Sequence, residues 1–267
     1  MTYLPFDSIV DRFRYPAGET HLRLRSEAAA PVDDDMVIEV RATGFETLGE
    51  ILTADRLLRR RDAHVTWFVP YFPFARHDRR MDRDDGLELE VALDLVRPLQ
   101  IAIADPHSDV AGLLSHLAQA DSVAAFRRHG LFDGDPMIVI PDSGATKKAD
   151  TWRGAGDVIQ ATKHRNPSTG RLSRFAIPEV DLAGRPCVIV DDICDGGGTF
   201  LGLAKELRNA NAGPLRLGVT HGLFTKGTDE LTIWFDDIVT FAFAGEPPPV
   251  GVDAIPFRDL YERGTVR

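Results

Sequence analysis

Short continuous apolar runs alternate along this chain with longer stretches in which apolar side chains recur every three or four positions. That is the pattern of strand–helix units built around a mostly parallel sheet. The runs predict strands at Met36–Val40, Val65–Val69, Ile101–Ala104, Met137–Ile140, Val188–Val190, Leu215–Thr220 and Ile238–Phe243. The amphipathic stretches predict helices at Glu46–Arg61, Leu87–Leu95, Val110–Leu117, Ser122–Gly130 and Phe200–Asn211. Turn residues agree at two joints, with Gly44 ahead of the first helix and Pro136 ahead of a strand. Near the midpoint, Leu131–Pro136 (LFDGDP) breaks the pattern with glycine, proline and acids, and marks a boundary between domains 1–132 and 133–267. The expected fold class is α/β, with two tandem similar domains, each a mostly parallel sheet flanked by helices. Two stretches carry no period. Thr162–Phe175 is polar, basic and punctuated by Gly and Pro, and its length for a connection points to a functional flap. Glu246–Val250 (EPPPV) reads as a stiff turn.

Composition narrows the class without changing this picture. The chain has 267 residues, 43% apolar and 27% charged, enough for a true core and unlike a disordered chain. Its formal net charge of −10 argues against a nucleic-acid partner, which selects for a basic face. Arginine is nonetheless grouped within Arg56–Arg61, Arg76–Arg83 and Arg165–Arg174, as expected of anionic small-molecule sites in an acidic surface. No apolar run approaches the roughly 20 residues that span a bilayer, and no basic segment followed by an apolar run opens the chain. The expectation is a cytoplasmic protein with no membrane partner. The two cysteines, Cys187 and Cys194, are expected to stay reduced there, and no Cys/His metal spacing is present.

The segment with the clearest chemistry is Val188–Thr199 (VIVDDICDGGGT). An apolar strand runs into Asp191 and Asp192, then Asp195, Gly196, Gly197, Gly198 and Thr199, before a helix. Glycines at a helix start leave backbone N–H groups uncovered where the dipole favours an anion, and Thr199 adds a hydroxyl donor. Paired aspartates at a strand end suit ribose hydroxyls, directly or through Mg²⁺. Glycines alone would equally fit an ordinary strand–helix turn with an acidic cap; the double aspartate tips the reading toward a site.

VIVDDICDGGGT resembles the phosphoribosyl-diphosphate motif of type I phosphoribosyltransferase folds. Other blocks narrow the resemblance to ribose-phosphate diphosphokinases (PRPP synthetases). Tyr15–Leu24 (YPAGETHLRL) resembles their nucleotide-binding segment, Val69–Arg80 (VPYFPFARHDRR) their Arg-Gln-Asp-Arg loop, and Ala104–Ser108 (ADPHS) their metal segment. Pro141–Ala149 (PDSGATKKA) and Val219–Phe224 (VTHGLF) match further shared segments, and Lys163-His164-Arg165 stands where the family's catalytic flap begins. The blocks follow family order over nearly the whole chain.

The resemblance implies an enzyme that moves the β,γ-diphosphate of ATP to the anomeric hydroxyl of ribose 5-phosphate with Mg²⁺. It assigns nucleotide contacts to Glu19, Arg76, His77 and Asp78, with Arg79 beside them. It assigns metal contacts to His107, Asp105 and Asp142, and catalysis to Lys163, Arg165 and His107. The ribose-phosphate site is Asp191, Asp192, Asp195, Gly196, Gly197, Gly198 and Thr199. Taken alone, ARHDRR would be a solvated charged face, a lone His more often structural, and Asp142 a helix cap. The segment around Glu19 reaches across a subunit interface in the family, which implies a homo-oligomer, dimer or hexamer. Departures are Ala17 for an Asp, His77 for a Gln, a shortened segment after His107, and Gly196 for a Thr. The last removes a hydroxyl and is expected to open space beside the 5-phosphate. It motivates a second acceptor, a 5-substituted ribose phosphate such as ADP-ribose in NAD salvage. Two other classes are a phosphoribosyltransferase, which would not carry the donor blocks, and a catalytically silent regulatory subunit, which tends to lose the flap lysine or the metal histidine.

Overall fold

Strands buried on both faces read as unbroken apolar runs, and parallel sheets produce them because helices cover both sides. The computed structural model describes residues 1–25, 35–76, 80, 82–106, 118–120, 122–141, 157–165 and 172–263, with backbone alone at 118–119, 163–165, 172–174 and 263. It divides into two units, 1–120 with 265–267, and 121–264.

In the first unit the described elements are β1 (Thr2–Pro5), α1 (Phe6–Ile9), β2 (Val10–Arg14), β3 (Thr20–Leu24), β4 (Met36–Glu39), α2 (Phe45–Arg59), β5 (Val65–Phe68), α3 (Glu88–Val96), β6 (Ile101–Ala104) and β7 (Ala118–Ala120). Five strands form a sheet in the order β1-β4-β5-β6-β7, every pair parallel. The β2–β3 hairpin is antiparallel and stands as its own sheet. Leu48, Ile51 and Leu58 repeat at helical spacing on α2 and bury against Ile38, Trp67 and Ile103 of the sheet. Trp67 donates its indole N–H to Asp55 Oδ1 at 3.0 Å, and Arg59 pairs with the other oxygen, so this buried carboxylate is satisfied.

In the second unit the elements are α4 (Ser122–Arg128), β8 (Met137–Ile140), β9 (Val158–Gln160), β10 (Thr162–Arg165), β11 (Leu172–Ala176), β12 (Cys187–Cys194), α5 (Gly198–Asn209), β13 (Leu215–Gly222), α6 (Asp229–Trp234), β14 (Asp237–Ala242), β15 (Asp253–Pro256) and α7 (Phe257–Arg263). Six strands order as β15-β14-β13-β12-β8-β9, all parallel. Leu203, Ala204 and Leu207 of α5 pack with Val139, Ile189, Leu217 and Val219. The unit begins ahead of the Leu131–Pro136 joint, because Phe126 of α4 tilts onto Phe241 of β14 at 5.1 Å and Leu131 lies against Gly218 of β13.

The expected strands and helices are present within one or two residues at most ends, save that β12 outruns its expected limit and the Val110–Leu117 helix lies outside the described residues. The short strands β1, β7, β9 and β15 and both hairpins were not expected. Three or four residues carry too little periodicity to separate from a loop. The stretch Thr162–Phe175, expected to be an aperiodic flap, supplies the paired strands β10 and β11, with Thr162 opposite Ala176 and Lys163 opposite Phe175. Hairpin pairing needs no apolar run, so hydropathy missed it.

Candidate functional site

Ligands of open parallel sheets lie outside the carboxyl ends of the strands, where the strand order reverses. In the second unit the chain passes from β8 to β9 on one side, then crosses to β12 on the other side of β8 and continues outward through β13, β14 and β15. The reversal therefore falls between β8 and β12. Asp142 follows β8 by two positions, though it lies outside the described residues. The loop Asp195–Gly197 follows β12 directly.

β12 is longer than its apolar core. Its first four residues, Cys187 to Val190, are buried on both faces, and β8 pairs with it through Ile189. Beyond that, pairing with β13 continues to Cys194 opposite Gly222. Asp191 and Asp192 therefore sit inside the strand rather than past its end, a correction to the sequence reading, whereas Asp195 follows it. Burial now alternates: Asp191 and Ile193 are half-exposed, Asp192 and Cys194 buried. The Asp191 carboxylate accepts the N–H of Asp192 at 2.9 Å.

The chain turns into α5 through Gly197, whose φ of 75° and ψ of −9° are left-handed. A β-carbon there would lie 3.3 Å from both methyl groups of Leu231, so glycine is required for conformation and for space. As the residue capping α5, Gly197 has no side chain, and the helix starts without a side-chain cap. Its first N–H groups are open to an anion. Thr199 lies half-buried in the first turn of α5. Cys194 anchors the turn from below: the Gly197 N–H donates toward its sulfur, but burial dominates and pushes the thiol up to about 12. Burial likewise pushes Cys187 up to about 11. Both are free and buried, and seven strand residues apart they stand about 23 Å from one another, far beyond disulfide reach.

The loop after β13 closes against this turn, and sequence reading stopped short of it. Leu223 and Phe224 both donate N–H groups to the Cys194 carbonyl, at 2.8 and 3.1 Å. Thr225 donates its N–H to the Asp195 carbonyl at 3.0 Å and its hydroxyl to the Asp195 carboxylate at 2.8 Å. The next residue, Lys226, runs beside Gly196, where an added β-carbon would lie 3.3 Å from Lys226 Cδ and Cε. The space expected to open at Gly196 thus holds the stem of a lysine. Adjacency of β12 and β13 was the one available signal.

Lys163 and Arg165, the two residues expected on the flap, lie on β10, with only their backbone described. The hairpin is seated by Phe175, which is buried over Gly202 of α5; a β-carbon on Gly202 would stand 2.3 Å from the ring.

In the first unit, the segments after β5 and β6 carry the remaining candidates. Asp105 follows β6 immediately, half-buried, with a left-handed φ of 38°. In the turn after β5, Phe74 has φ 65° and is held by stacking on Phe45 at 4.5 Å; exposed Arg76 follows two positions later. Non-glycine residues in this conformation are strained and persist where the surroundings over-determine them, often at ligand sites. His77, Asp78, Arg79 and His107 lie outside the described residues. Glu19 is exposed at the β2–β3 turn, its carbonyl accepting the Tyr15 N–H at 2.8 Å around Gly18, φ 96°.

Among the described residues no three His, Cys, Asp or Glu side chains converge on one point. Mg²⁺ does not require that: it is held by one or two carboxylates with waters and substrate phosphates completing the octahedron. The hard oxygens of Asp191 and Asp192 are donors of the right kind, and so is Asp105.

Residues 154–254 match the family model described as the phosphoribosyl transferase domain. The chain is 28% identical over 187 residues to a ribose-phosphate pyrophosphokinase of Mycobacterium bovis, covering 66% of this chain and 57% of the relative. It therefore spans less than two thirds of that protein's length. A ribose-phosphate pyrophosphokinase of Methanopyrus kandleri is 27% identical over 248 residues, 86% of this chain and 82% of the relative. Among solved structures, phosphoribosylpyrophosphate synthetase from Mycobacterium smegmatis superposes with a TM-score of 0.72 at 19% identity, over 98% of this chain and 99% of that one. That likeness is one of fold.

Proposed function

We propose that this chain, which belongs to the ribose-phosphate pyrophosphokinase family and carries its phosphoribosyltransferase-like fold, transfers the β,γ-diphosphate of ATP to the anomeric hydroxyl of ribose 5-phosphate. The observation that carries the reading is the turn from Asp191 to Thr199: carboxylates, then a side-chain-free helix start, at the reversal of the sheet. The open N–H groups of α5 suit a phosphate monoester, and the carboxylates suit the ribose hydroxyls beside it.

In this reaction the anomeric oxygen attacks the β-phosphorus, the bond from that phosphorus to the α–β bridging oxygen breaks, AMP departs with the bridging oxygen, and the hydroxyl proton is released. Little covalent help is needed; position and charge carry the rate. Glu19, Arg76, His77 and Asp78 would hold the nucleotide. His107, Asp105 and Asp142 would hold Mg²⁺, which when bound neutralises charge on the phosphates. Lys163 and Arg165, on the hairpin seated over α5, would add positive charge at the migrating group and keep water from taking it. A homo-oligomer belongs to the same reading.

The test is incubation of the purified chain with ATP, Mg²⁺ and ribose 5-phosphate. AMP is expected in amounts matching the acceptor consumed, with ADP-ribose as a second acceptor arm. Diphosphate release from phosphoribosyl diphosphate on adding a free base, without ATP, would assign a phosphoribosyltransferase instead. No AMP with either acceptor would end the proposal.

A further inference from the structure

The turn after β13 is tied to the acceptor loop so closely that it belongs to the same site. Four hydrogen bonds join Leu223, Phe224 and Thr225 to Cys194 and Asp195. A fifth, from Gly227 N–H to the Phe224 carbonyl at 2.8 Å, closes the turn, with left-handed φ at both of its ends, 43° and 76°. The turn places residue 226 beside Gly196. The contacts there are tighter than ordinary van der Waals distance for an added β-carbon, so the lysine stem packs against the bare backbone of residue 196, where a side chain would crowd it. Lys226 is exposed, and among the described residues it makes no ion pair.

We infer that Lys226 is an acceptor-binding residue, its ammonium holding the phosphate bound by Gly196–Thr199 in the role a side-chain hydroxyl at position 196 would otherwise fill. The inference rests on the reading of that loop as the acceptor phosphate site. An ammonium brings a full charge and three donors on a flexible stem, whereas a hydroxyl brings one neutral donor. Charge-assisted bonds to phosphate are about twice as strong as neutral ones. Glycine and lysine are then one device: a small residue in the loop and a long cation from the adjacent strand's turn.

The test is steady-state kinetics with calorimetric titration of ribose 5-phosphate. Lys226→Ala is expected to raise the acceptor KM and Kd about tenfold or more, the scale of one hydrogen bond to a charged group. The ATP KM and kcat should stay within about twofold of the parent, and Lys226→Arg should recover most of the loss. Gly196→Thr supplies the sharper arm. In the parent it crowds the lysine and should raise the acceptor KM, whereas in the Lys226→Ala background it restores a donor and should lower it. A parental acceptor KM in Lys226→Ala, or additive effects in the double variant, would overturn the inference alone. A parent that neither binds ribose 5-phosphate nor forms AMP would overturn the diphosphokinase reading and this inference with it.

Discussion

At the scale of the residue, Gly197 decides whether the turn from β12 into α5, the proposed acceptor loop, can form. Its left-handed backbone and its contact with Leu231 leave no room for a β-carbon. Gly197→Ala is expected to cost about 1–3 kcal/mol from strain and to weaken acceptor binding, read as a lower Tm together with a raised acceptor KM. An unchanged Tm would mean the turn relaxes freely. The buried thiols make a second residue-scale case. Folding raises the pKa of Cys187 and Cys194, so each favours the folded state at neutral pH. That contribution is complete below about pH 8.5, where unfolded thiols ionise. It is lost as pH climbs toward about 11 and about 12, because the unfolded chain releases its protons first. Melting curves from pH 8 to 11 should fall more steeply for the parent than for a Cys187→Ala, Cys194→Ala double variant; parallel slopes would refute the assignment. The glycines and aspartates of this loop were legible because they are contiguous in sequence. Thr225 and Lys226 were not, because about 30 residues separate them from the loop that their hydrogen bonds and packing complete.

At the scale of the element, the relation between α5 and the β10–β11 hairpin is a seat made of one glycine and one phenylalanine. Gly202→Ala would drive a β-carbon to 2.3 Å from the Phe175 ring, forcing the hairpin off the helix. Overpacking of this kind costs about 1–3 kcal/mol. Turnover is expected to fall with the hairpin displaced, and Phe175→Leu in the same chain should restore part of it; a Gly202→Ala variant with parental kcat would show that the seat does not position the flap. Lys163→Ala tests the hairpin's cargo. It should cut kcat about a hundredfold or more, the order of one lost charge at a transition state, with little change in acceptor Kd. Equal activity would favour a silent or differently built enzyme. Long buried strands and amphipathic helices were legible at this scale, since their period repeats over enough residues to be read. The hairpins were not, because the apolar side chains they bury, Val10, Leu22 and Leu24 in one and Phe175 in the other, are too few to be read as a period.

At the scale of the whole molecule, the two units each hold a core and a parallel sheet, and differ in how strand order runs. The first steps one way through β1, β4, β5, β6 and β7, whereas the second reverses beside β8. A fragment of residues 121–264 keeps its own apolar cluster and the acceptor loop. It is expected to show a cooperative melt by circular dichroism and to bind ribose 5-phosphate, without releasing AMP from ATP. A fragment that melts cooperatively yet fails to bind ribose 5-phosphate would show that acceptor binding needs the first unit. The sequence by itself determined the α/β class and most long elements, and singled out the stretch Val188–Thr199 as the candidate phosphate site. Those follow from local rules: periodicity, backbone freedom at glycine, and the charge of neighbouring side chains. Only the tertiary structure decided that Asp191 and Asp192 lie within β12, that the sheet reverses beside them, and that Lys226 occupies the ground left by Gly196. Each of these depends on which strand lies next to which, a choice made by long-range packing that no local pattern records.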